Sequence, residues 1–455
     1  MRLRVWLALI SLLVAVAPVT AQTNFRGGKN KIRYDTFEWQ VYDTPHFQIS
    51  YYDRSEPSLD EVASFAESAY DELARRLNFQ ILKPIPMIIY ATHAEFEQTN
   101  VIVSFIPEGV GAFATQSRNR MVLPVDLPQY GLQTLIQHEL THIFQYEILF
   151  QGRMGRAIYR RPPLWFMEGM ASYLAQDEDS LDEAYMRDAA LSDRVPSLAQ
   201  PISGFFAYRL GHMVFEFVES EWGEEGLREF IFSFRNTVGG NISRPLQRVF
   251  RMEVDEFDAA FRSWLRRRYE GYDHRGVPRE FGGVFYSGVQ RPTAELSPVA
   301  SPNGDLVAAF TTAKDEVDVA VFGVPDRRIF KNVTKGFTTK YRYLIAQALT
   351  VGPKVGRDIA FSPDGTHLGV FARTERTRTL LILDLYREKL VREIEIKAPI
   401  EQAGQPAWSP DGQFIAFQGV KNGQYDIFQI DLSDESISNL TDSEAYDGAP
   451  VYSPD

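Results

Sequence analysis

The stretch "PAWSPDGQFIAFQGVKNGQYDIFQIDL", residues 406–432, decides the architecture of the C-terminal part of this chain of 455 residues. Its segments "FIAFQG" and "DIFQIDL" are short, rich in β-branched and aromatic residues, and bounded by Gly, Asn and Asp, which is typical of strands. The preceding Ser409-Pro410-Asp411-Gly412 is a tight-turn sequence. The stretch therefore predicts antiparallel strands joined by turns.

The same turn recurs along the chain. Copies stand at 301–304 (Ser-Pro-Asn-Gly) and 362–365 (Ser-Pro-Asp-Gly), and the last residues are Ser453-Pro454-Asp455. The later copies are spaced in the mid-forties, close to the roughly 40–45 residues of a four-stranded propeller blade. The longer first interval indicates an insertion near 335–355. Chance turns in a β-sandwich are the alternative, which four in-phase copies disfavour.

Residues 276–455 are therefore predicted to form about three blades of an incomplete all-β propeller. A closed ring needs roughly four to eight blades. The sequence stops inside the turn that opens each earlier blade, so we expect the propeller to continue beyond residue 455.

The overall composition excludes some classes of partner and ligand. The formal net charge is −12, which argues against nucleic acid or anionic lipid as a non-specific partner. There is no cysteine, so disulfides, lipid-modified cysteines and thiolate metal ligands are excluded. Any metal must be held by His, Asp or Glu side chains.

The N-terminus carries the features of an export signal. Arg2 and Arg4 precede an apolar run of about a dozen residues, and small residues end at Ala21. A membrane anchor is the alternative, but the run is shorter than the roughly 20 residues that span a bilayer. We predict a cleaved signal over residues 1–21, no transmembrane anchor in this chain, and a bacterial protein that is periplasmic or secreted.

Residues 22–275 are predicted to form an α+β domain. A capping box from Ser58 to Glu61 is expected to open a helix that ends near Leu77. The other strands and helices are expected at 46–53, 85–92, 118–126, 131–149, 163–176, 207–222, 224–234 and 254–270.

The predicted helix 131–149 contains the pattern His-Glu-x-x-His. His138 and His142 are four residues apart, so their imidazoles project side by side and can reach one ion. Glu139 falls on the apolar stripe of the helix, where a buried carboxylate is unfavourable unless a cation or a hydrogen-bonded water molecule lies beside it. A partly buried histidine pair with a structural glutamate is the alternative.

The next helix supplies a third candidate ligand. "PPLWFMEGMASYLA", residues 162–175, is apolar on every face, and its one carboxylate is Glu168. Two histidines, a glutamate and an open fourth position make a catalytic type of zinc site. The alternative is a simple ion pair between Glu168 and an arginine such as Arg161.

These two helices resemble those of the gluzincin metallopeptidases, and more closely those of the bacterial peptidase MA-like domain. "HFQISYY", "EGVGAFA", "NRMVLP" and "QHELTHIFQYE" follow in the order typical of that family, so the likeness covers roughly residues 40–270. The C-terminal part resembles the PD40 repeats of TolB-like propellers. The resemblance implies a zincin-like metallopeptidase domain followed by a propeller.

The resemblance also implies roles for individual residues. His138, His142 and Glu168 would bind Zn²⁺, and Glu139 would be the general base. Tyr208 would donate to the oxyanion, with His212 as its rival. Ser172 stands where relatives are expected to carry an acidic residue, and the strand 118–125 resembles the edge strand above a zincin's active-site helix.

We therefore expect an exported zinc metallopeptidase that acts on a peptide or protein substrate, with a propeller that binds substrate or an envelope protein partner. One alternative is a catalytically inactive zinc-binding domain on a propeller scaffold of the cell envelope. Another is a structural zinc protein, which would usually fill the fourth metal position with a protein ligand.

Overall fold

The computed structural model describes residues 36–454, apart from segments of which the longest are 151–160, 286–294, 312–316, 335–342 and 345–356. The predicted signal at 1–21 lies outside the described residues, as does most of the expected insertion near 335–355. Within the described part of the chain, no helix combines the length and the apolarity that crossing a bilayer requires.

The first half is built on a mixed sheet of five strands in the order β1-β2-β3-β5-β4. Strands β2, β3 and β5 run parallel, and β1 and β4 lie antiparallel at the two edges. The strands are β1 (Gln40–Asp43), β2 (Phe47–Tyr51), β3 (Ile85–Tyr90), β4 (Phe113–Thr115) and β5 (Arg120–Pro124).

Most of the rest of this half is helical, and the helices other than α2 share one apolar core with the sheet, whereas Phe96 of α2 packs in a smaller cluster. They are α1 (Leu59–Leu77), α2 (His93–Phe96), α3 (Gln129–Gln145), α4 (Leu164–Ala175), α5 (Ser180–Leu191), α6 (Phe205–Ser233), α7 (Ser243–Val249) and α8 (Val254–Tyr269). A π-helical turn, Tyr146–Phe150, extends α3. Gly223, at φ 68°, breaks α6 where the sequence predicts two helices.

Two local expectations are wrong. Ser58 makes no side-chain cap, because it ends a short 3-10 turn at φ −92° and ψ 0° rather than taking the extended backbone of an N-cap. A capping box opens α8 instead, between Glu253 and Glu256. The strand predicted at 118–126 is not an edge strand, since β5 pairs with both β3 and β4, and β4 is the edge.

The second half contains three consecutive antiparallel sheets, as expected for propeller blades. The first has β6 (Glu295–Ala300), β7 (Leu306–Thr311), β8 (Asp318–Gly323) and β9 (Arg328–Asn332). The second has β10 (Tyr343–Leu344), β11 (Ile359–Phe361), β12 (His367–Arg373), β13 (Arg378–Asp384) and β14 (Lys389–Ile396). The third has β15 (Ile400–Trp408), β16 (Phe414–Lys421), β17 (Gln424–Asp431) and β18 (Ile437–Asn439). Strand β6 of the first blade and strand β15 of the third blade both lie against β11 of the second blade, so neighbouring blades pack on one another.

The repeated turn explains the sequence repeat. The hydroxyl of Ser409 donates to Asp411 at 2.6 Å and accepts from the backbone N–H of Phe414 at 2.9 Å. Gly412 has φ 72°, a left-handed conformation that favours glycine. The turns at Ser301 and Ser362 make the same bonds. The same local structure therefore joins β6 to β7, β11 to β12 and β15 to β16, so the turn lies inside each blade, and the prediction that it opens the blade is wrong.

The two halves meet through buried polar contacts. Arg373, at the end of β12, pairs with Glu97 directly after α2, and their side chains are 2% and 3% exposed. The amide of Gln402 in β15 donates to the Asp126 carboxylate at 2.8 Å. Asp126 lies between β5 and α3, so the propeller contacts the segment that leads into the His-Glu-x-x-His helix.

Candidate metal centre

Two glutamines fix the alignment of α3 against α4. Gln137 donates to the carbonyl of Leu174 at 2.7 Å, and Gln145 donates to the carbonyl of Met167 at 2.7 Å. They lie on one face of α3, eight residues apart, so they tie it to both ends of α4. This alignment brings the histidines of α3 opposite Glu168.

The three predicted ligand groups converge. The carboxylate oxygen Oε2 of Glu168 lies 3.3 Å from His142 Nε2 and 3.7 Å from His138 Nε2, and the three ligand atoms lie within 4.8 Å of one another. A tetrahedral site with bonds near 2.0–2.1 Å separates its ligands by about 3.3 Å. The spacing of these atoms therefore fits a zinc-sized ion.

The other nitrogen of each imidazole is already engaged. His138 Nδ1 lies 3.0 Å from Asp177 Oδ2, and His142 Nδ1 lies 2.8 Å from the amide oxygen of Gln145. Both partners accept hydrogen bonds, so each Nδ1 carries a proton, and Nε2 is the nitrogen of each ring that can bind a metal ion once its own proton has left. Metal-binding histidines are held in this way, and the residues present fit a metal ion.

Asp177 links His138 to Ser172 and Arg209. It follows the end of α4, accepts a hydrogen bond from the Ser172 hydroxyl through Oδ1, and forms an ion pair with Arg209 at 2.8 Å. Arg209 also lies 3.1 Å from the Ser172 oxygen. The carboxylate behind His138 is therefore itself held by a hydroxyl group and a guanidinium group.

The charges of the cluster favour a cation at its centre. Burial disfavours the charged form of His138, but the neighbouring carboxylates of Asp177 and Glu168 outweigh it and raise its pKa to about 10. Burial also opposes ionisation of Glu168, yet the two histidines hold its pKa well below the usual range. The carboxylates thus stabilise positive charge here, whether carried by protons or by a metal ion.

Glu139 lies beside this cluster in the buried part of α3. One carboxylate oxygen, Oε2, has no hydrogen-bond partner among the described residues. The backbone of Ala114 in β4 lies beside the same carboxylate and interacts with it. Burial raises the pKa of Glu139, and the nearby histidines oppose that shift. A buried carboxylate oxygen without a partner is costly, so this position is favourable for a ligand or a water molecule.

Two tyrosines flank the histidines. The ring of Tyr208, on α6, stacks on His138 with centroids 6.0 Å apart, and its hydroxyl lies near the carboxylate of Glu168. Burial and the neighbouring carboxylates raise the Tyr208 pKa well above its ordinary value, so the phenol keeps its proton. Tyr146 stacks on His142 at 6.3 Å and donates to the Ala114 carbonyl at 3.3 Å.

The structure places Tyr208 and His212, the two candidates for the oxyanion donor, in different surroundings. Tyr208 borders the His138, His142 and Glu168 cluster, whereas His212 faces the other side of Asp177. His212 Nδ1 lies 3.0 Å from the Ser172 oxygen.

Sequence reasoning did not find Gln145, Tyr146 or Asp177. Gln145 and Tyr146 follow His142 by three and four residues, so helical spacing could have indicated them. Asp177 had no local signal, because its approach to His138 depends on how α4 ends and crosses α3.

No family model matches this sequence. Among solved structures, TolB from Acinetobacter baumannii is similar with 16% identity and a TM-score of 0.28, over 35% of this chain and 35% of that one. A putative TolB from Agrobacterium tumefaciens has 19% identity and a TM-score of 0.28, over 37% of this chain and 53% of that one. A puromycin hydrolase has 13% identity and a TM-score of 0.25, over 32% and 20%.

The neighbours thus include TolB-like propeller proteins, and this chain spans about half or less of their length. At such TM-scores these likenesses carry no argument about function. The assignment of blades rests on the three antiparallel sheets themselves.

Proposed function

We propose that this protein is an exported zinc-dependent peptidase. One observation carries the proposal: His138, His142 and Glu168 point three ligand atoms at one place, beside a buried carboxylate with an unpartnered oxygen. A purely structural metal site has no use for Glu139 in that position. The N-terminal signal features support export, to the periplasm or the medium.

His138, His142 and Glu168 would hold the metal ion, which would supply Lewis acidity toward a carbonyl group and a water molecule. Glu139 would accept a proton from that water at its unpartnered oxygen and pass it to the leaving amine. Asp177 and Gln145 hold the two imidazoles through Nδ1, so that both Nε2 atoms face Glu168.

Tyr208 is the best-placed donor for the oxyanion that forms on the attacked carbonyl. Its hydroxyl keeps its proton and lies near Glu168, so it is available to donate to an oxygen of the substrate. Tyr146 is held on the far side of His142 by the Ala114 carbonyl and is a wall of the site.

The substrate we propose is an extended peptide. Strand β4 is the edge of the sheet, and its central residue, Ala114, contacts both Glu139 and Tyr146. A peptide lying along an exposed edge strand can be held by backbone hydrogen bonds. The propeller, joined to the segment that precedes α3, is proposed to bind the rest of a protein substrate or an envelope partner.

The decisive experiment combines metal analysis with cleavage of a peptide library. The wild-type chain should hold zinc and cut peptides. Glu139→Gln should keep its zinc and lose activity by about 10²–10⁴-fold, because an amide cannot accept the water's proton.

The matched control is Glu147→Gln. Glu147 lies eight residues further along, and its side-chain oxygen, which accepts from Asn119 at 3.1 Å, survives in glutamine. This variant should behave as wild type. Zinc binding without any cleavage by the wild-type chain would instead favour an inactive zinc-binding scaffold.

A further inference from the structure

A second group of metal-ligand types lies on the other side of Asp177. It consists of His212 and Glu216 on α6 and Glu178 just after α4, and the three ligand atoms lie within 4.8 Å of one another. His212 and Glu216 are four residues apart on a helix, so their side chains project side by side. None of the three belongs to the proposed catalytic cluster.

The proton positions leave a lone pair of His212 directed into this group. Ser172 has one hydroxyl proton, and it is donated to Asp177 Oδ1, the carboxylate that the Arg209 side chain also contacts. The Ser172 oxygen must then accept from His212 Nδ1, which lies 3.0 Å away. In a neutral imidazole the other nitrogen, His212 Nε2, then carries no proton.

That lone pair has no hydrogen-bond donor among the described residues. His212 Nε2 lies 3.7 Å from Glu178 Oε2, beyond hydrogen-bonding distance, and the His212 side chain is 8% exposed. The Glu178 side chain is 18% exposed, and its carboxylate takes no hydrogen bond in the part of the chain that the structure describes. A nearly buried lone pair facing a nearly buried carboxylate is unfavourable unless a cation lies between them.

The surroundings hold excess negative charge. Arg268 forms ion pairs with both Glu216 and Glu183, so one positive charge is shared by two negative charges. Glu178 adds a third carboxylate to this group. A divalent cation would compensate these charges.

We propose that His212, Glu178 and Glu216 form a second divalent-metal site, distinct from the proposed catalytic one. One imidazole and two carboxylates suit Mn²⁺ or Zn²⁺. The two sites share Asp177 as a common anchor, because it accepts from His138 directly and from His212 through Ser172.

Mn²⁺ binding to the full chain tests this site, with stoichiometry measured by equilibrium dialysis and environment by electron paramagnetic resonance. The wild-type chain should bind two ions. Glu168→Gln should retain one ion, held by the second site. Adding Glu178→Gln to that variant should weaken the remaining ion at least about tenfold, since a charged ligand becomes neutral.

Glu183→Gln is the matched control, because it removes the same charge from the same region without removing a proposed ligand. Combined with Glu168→Gln, it should leave Mn²⁺ affinity within about threefold. Equal losses of Mn²⁺ affinity in the Glu178 and Glu183 variants would mean that the ion is attracted by the general negative charge of the region and has no specific ligands. Absence of any bound ion in Glu168→Gln would also overturn the proposed site. Neither result bears on the first cluster, which Glu139→Gln tests separately. Circular dichroism confirms that each variant is folded.

Discussion

Gly169 and Gly211 are in direct backbone contact where α4 crosses α6. A Cβ atom on Gly169 would lie 2.3 Å from the Cα atom of Gly211, and one on Gly211 would lie 2.1 Å from the Trp165 carbonyl oxygen. Glu168 immediately precedes this contact on one helix, and His212 immediately follows it on the other. The close approach of α4 and α6 at these glycines therefore sets the positions of Glu168 and His212.

Gly169→Ala should separate the two helices. The added methyl group meets backbone, which cannot move aside, so we expect a loss of at least about 1–3 kcal/mol in unfolding free energy and weaker metal binding. Denaturant unfolding and zinc titration measure the two effects. Gly131→Ala is the control, because a Cβ there makes ordinary contacts at 3.8 Å, and it should leave stability equal or slightly higher. Equal stability of both variants would contradict the close crossing.

Asp177→Asn should weaken zinc affinity by about 10–100-fold. The amide keeps the shape of the side chain but loses the charge that accepts from His138 and Ser172, so the imidazole is less basic and less well oriented. Competition with a chromophoric chelator gives the affinity. Asp188→Asn, an exposed position on α5, should bind zinc as the wild type does. An unchanged affinity in Asp177→Asn would show that His138 needs no carboxylate behind it.

Tyr208→Phe should lower kcat while zinc content stays constant. The ring can still stack on His138, but the donor next to Glu168 is gone. Loss of one oxyanion donor typically costs about 10²–10³-fold in kcat. Tyr146→Phe removes a hydroxyl from the opposite flank and should have a much smaller effect. Wild-type kcat in Tyr208→Phe would assign that tyrosine to packing alone.

Glu67→Gln should destabilise the protein in a pH-dependent way. Burial opposes ionisation of Glu67, but hydrogen bonds from Thr44 and His46 outweigh it and lower its pKa below the ordinary 4.5. A lowered carboxyl pKa contributes stability above about pH 4.5, and this contribution is lost as the pH falls through the lowered folded value.

We therefore expect Glu67→Gln to cost about 1–3 kcal/mol at pH 7 and progressively less below pH 4.5. Urea unfolding at several pH values measures the difference. Asp71→Asn, an exposed carboxylate on the same helix, should show no such trend. A cost that stays constant down to pH 3 would mean that the charge of Glu67 is unimportant.

The sequence predicted those features that depend on local spacing. The i, i+4 pair of His138 and His142 needs only a helix to place both imidazoles on one face, and α3 is that helix. Glu168 was distinguished as the one carboxylate in an apolar segment, and the structure brings it to 3.3 Å from His142. The repeated turns likewise reflect bonds within six residues.

Features that depend on how helices cross could not be predicted in this way. His212 was expected to compete with Tyr208 for one role, because the two are one turn apart on α6. The crossing at Gly211 instead directs them to opposite sides of Asp177. The resemblance predicts an edge strand at 118–125, and nothing in that sequence shows that β4 pairs beside it.

The buried pair of Glu97 and Arg373 has a consequence for how the protein denatures. Arg373 belongs to the propeller half and Glu97 to the other half, and their side chains are 2% and 3% exposed, so unfolding of one half alone breaks this pair and uncovers both groups. Part of the surface of each half is therefore buried only while the other half is folded. The blades next to the interface should therefore not melt ahead of the helical half, and calorimetry should record one cooperative transition that includes both.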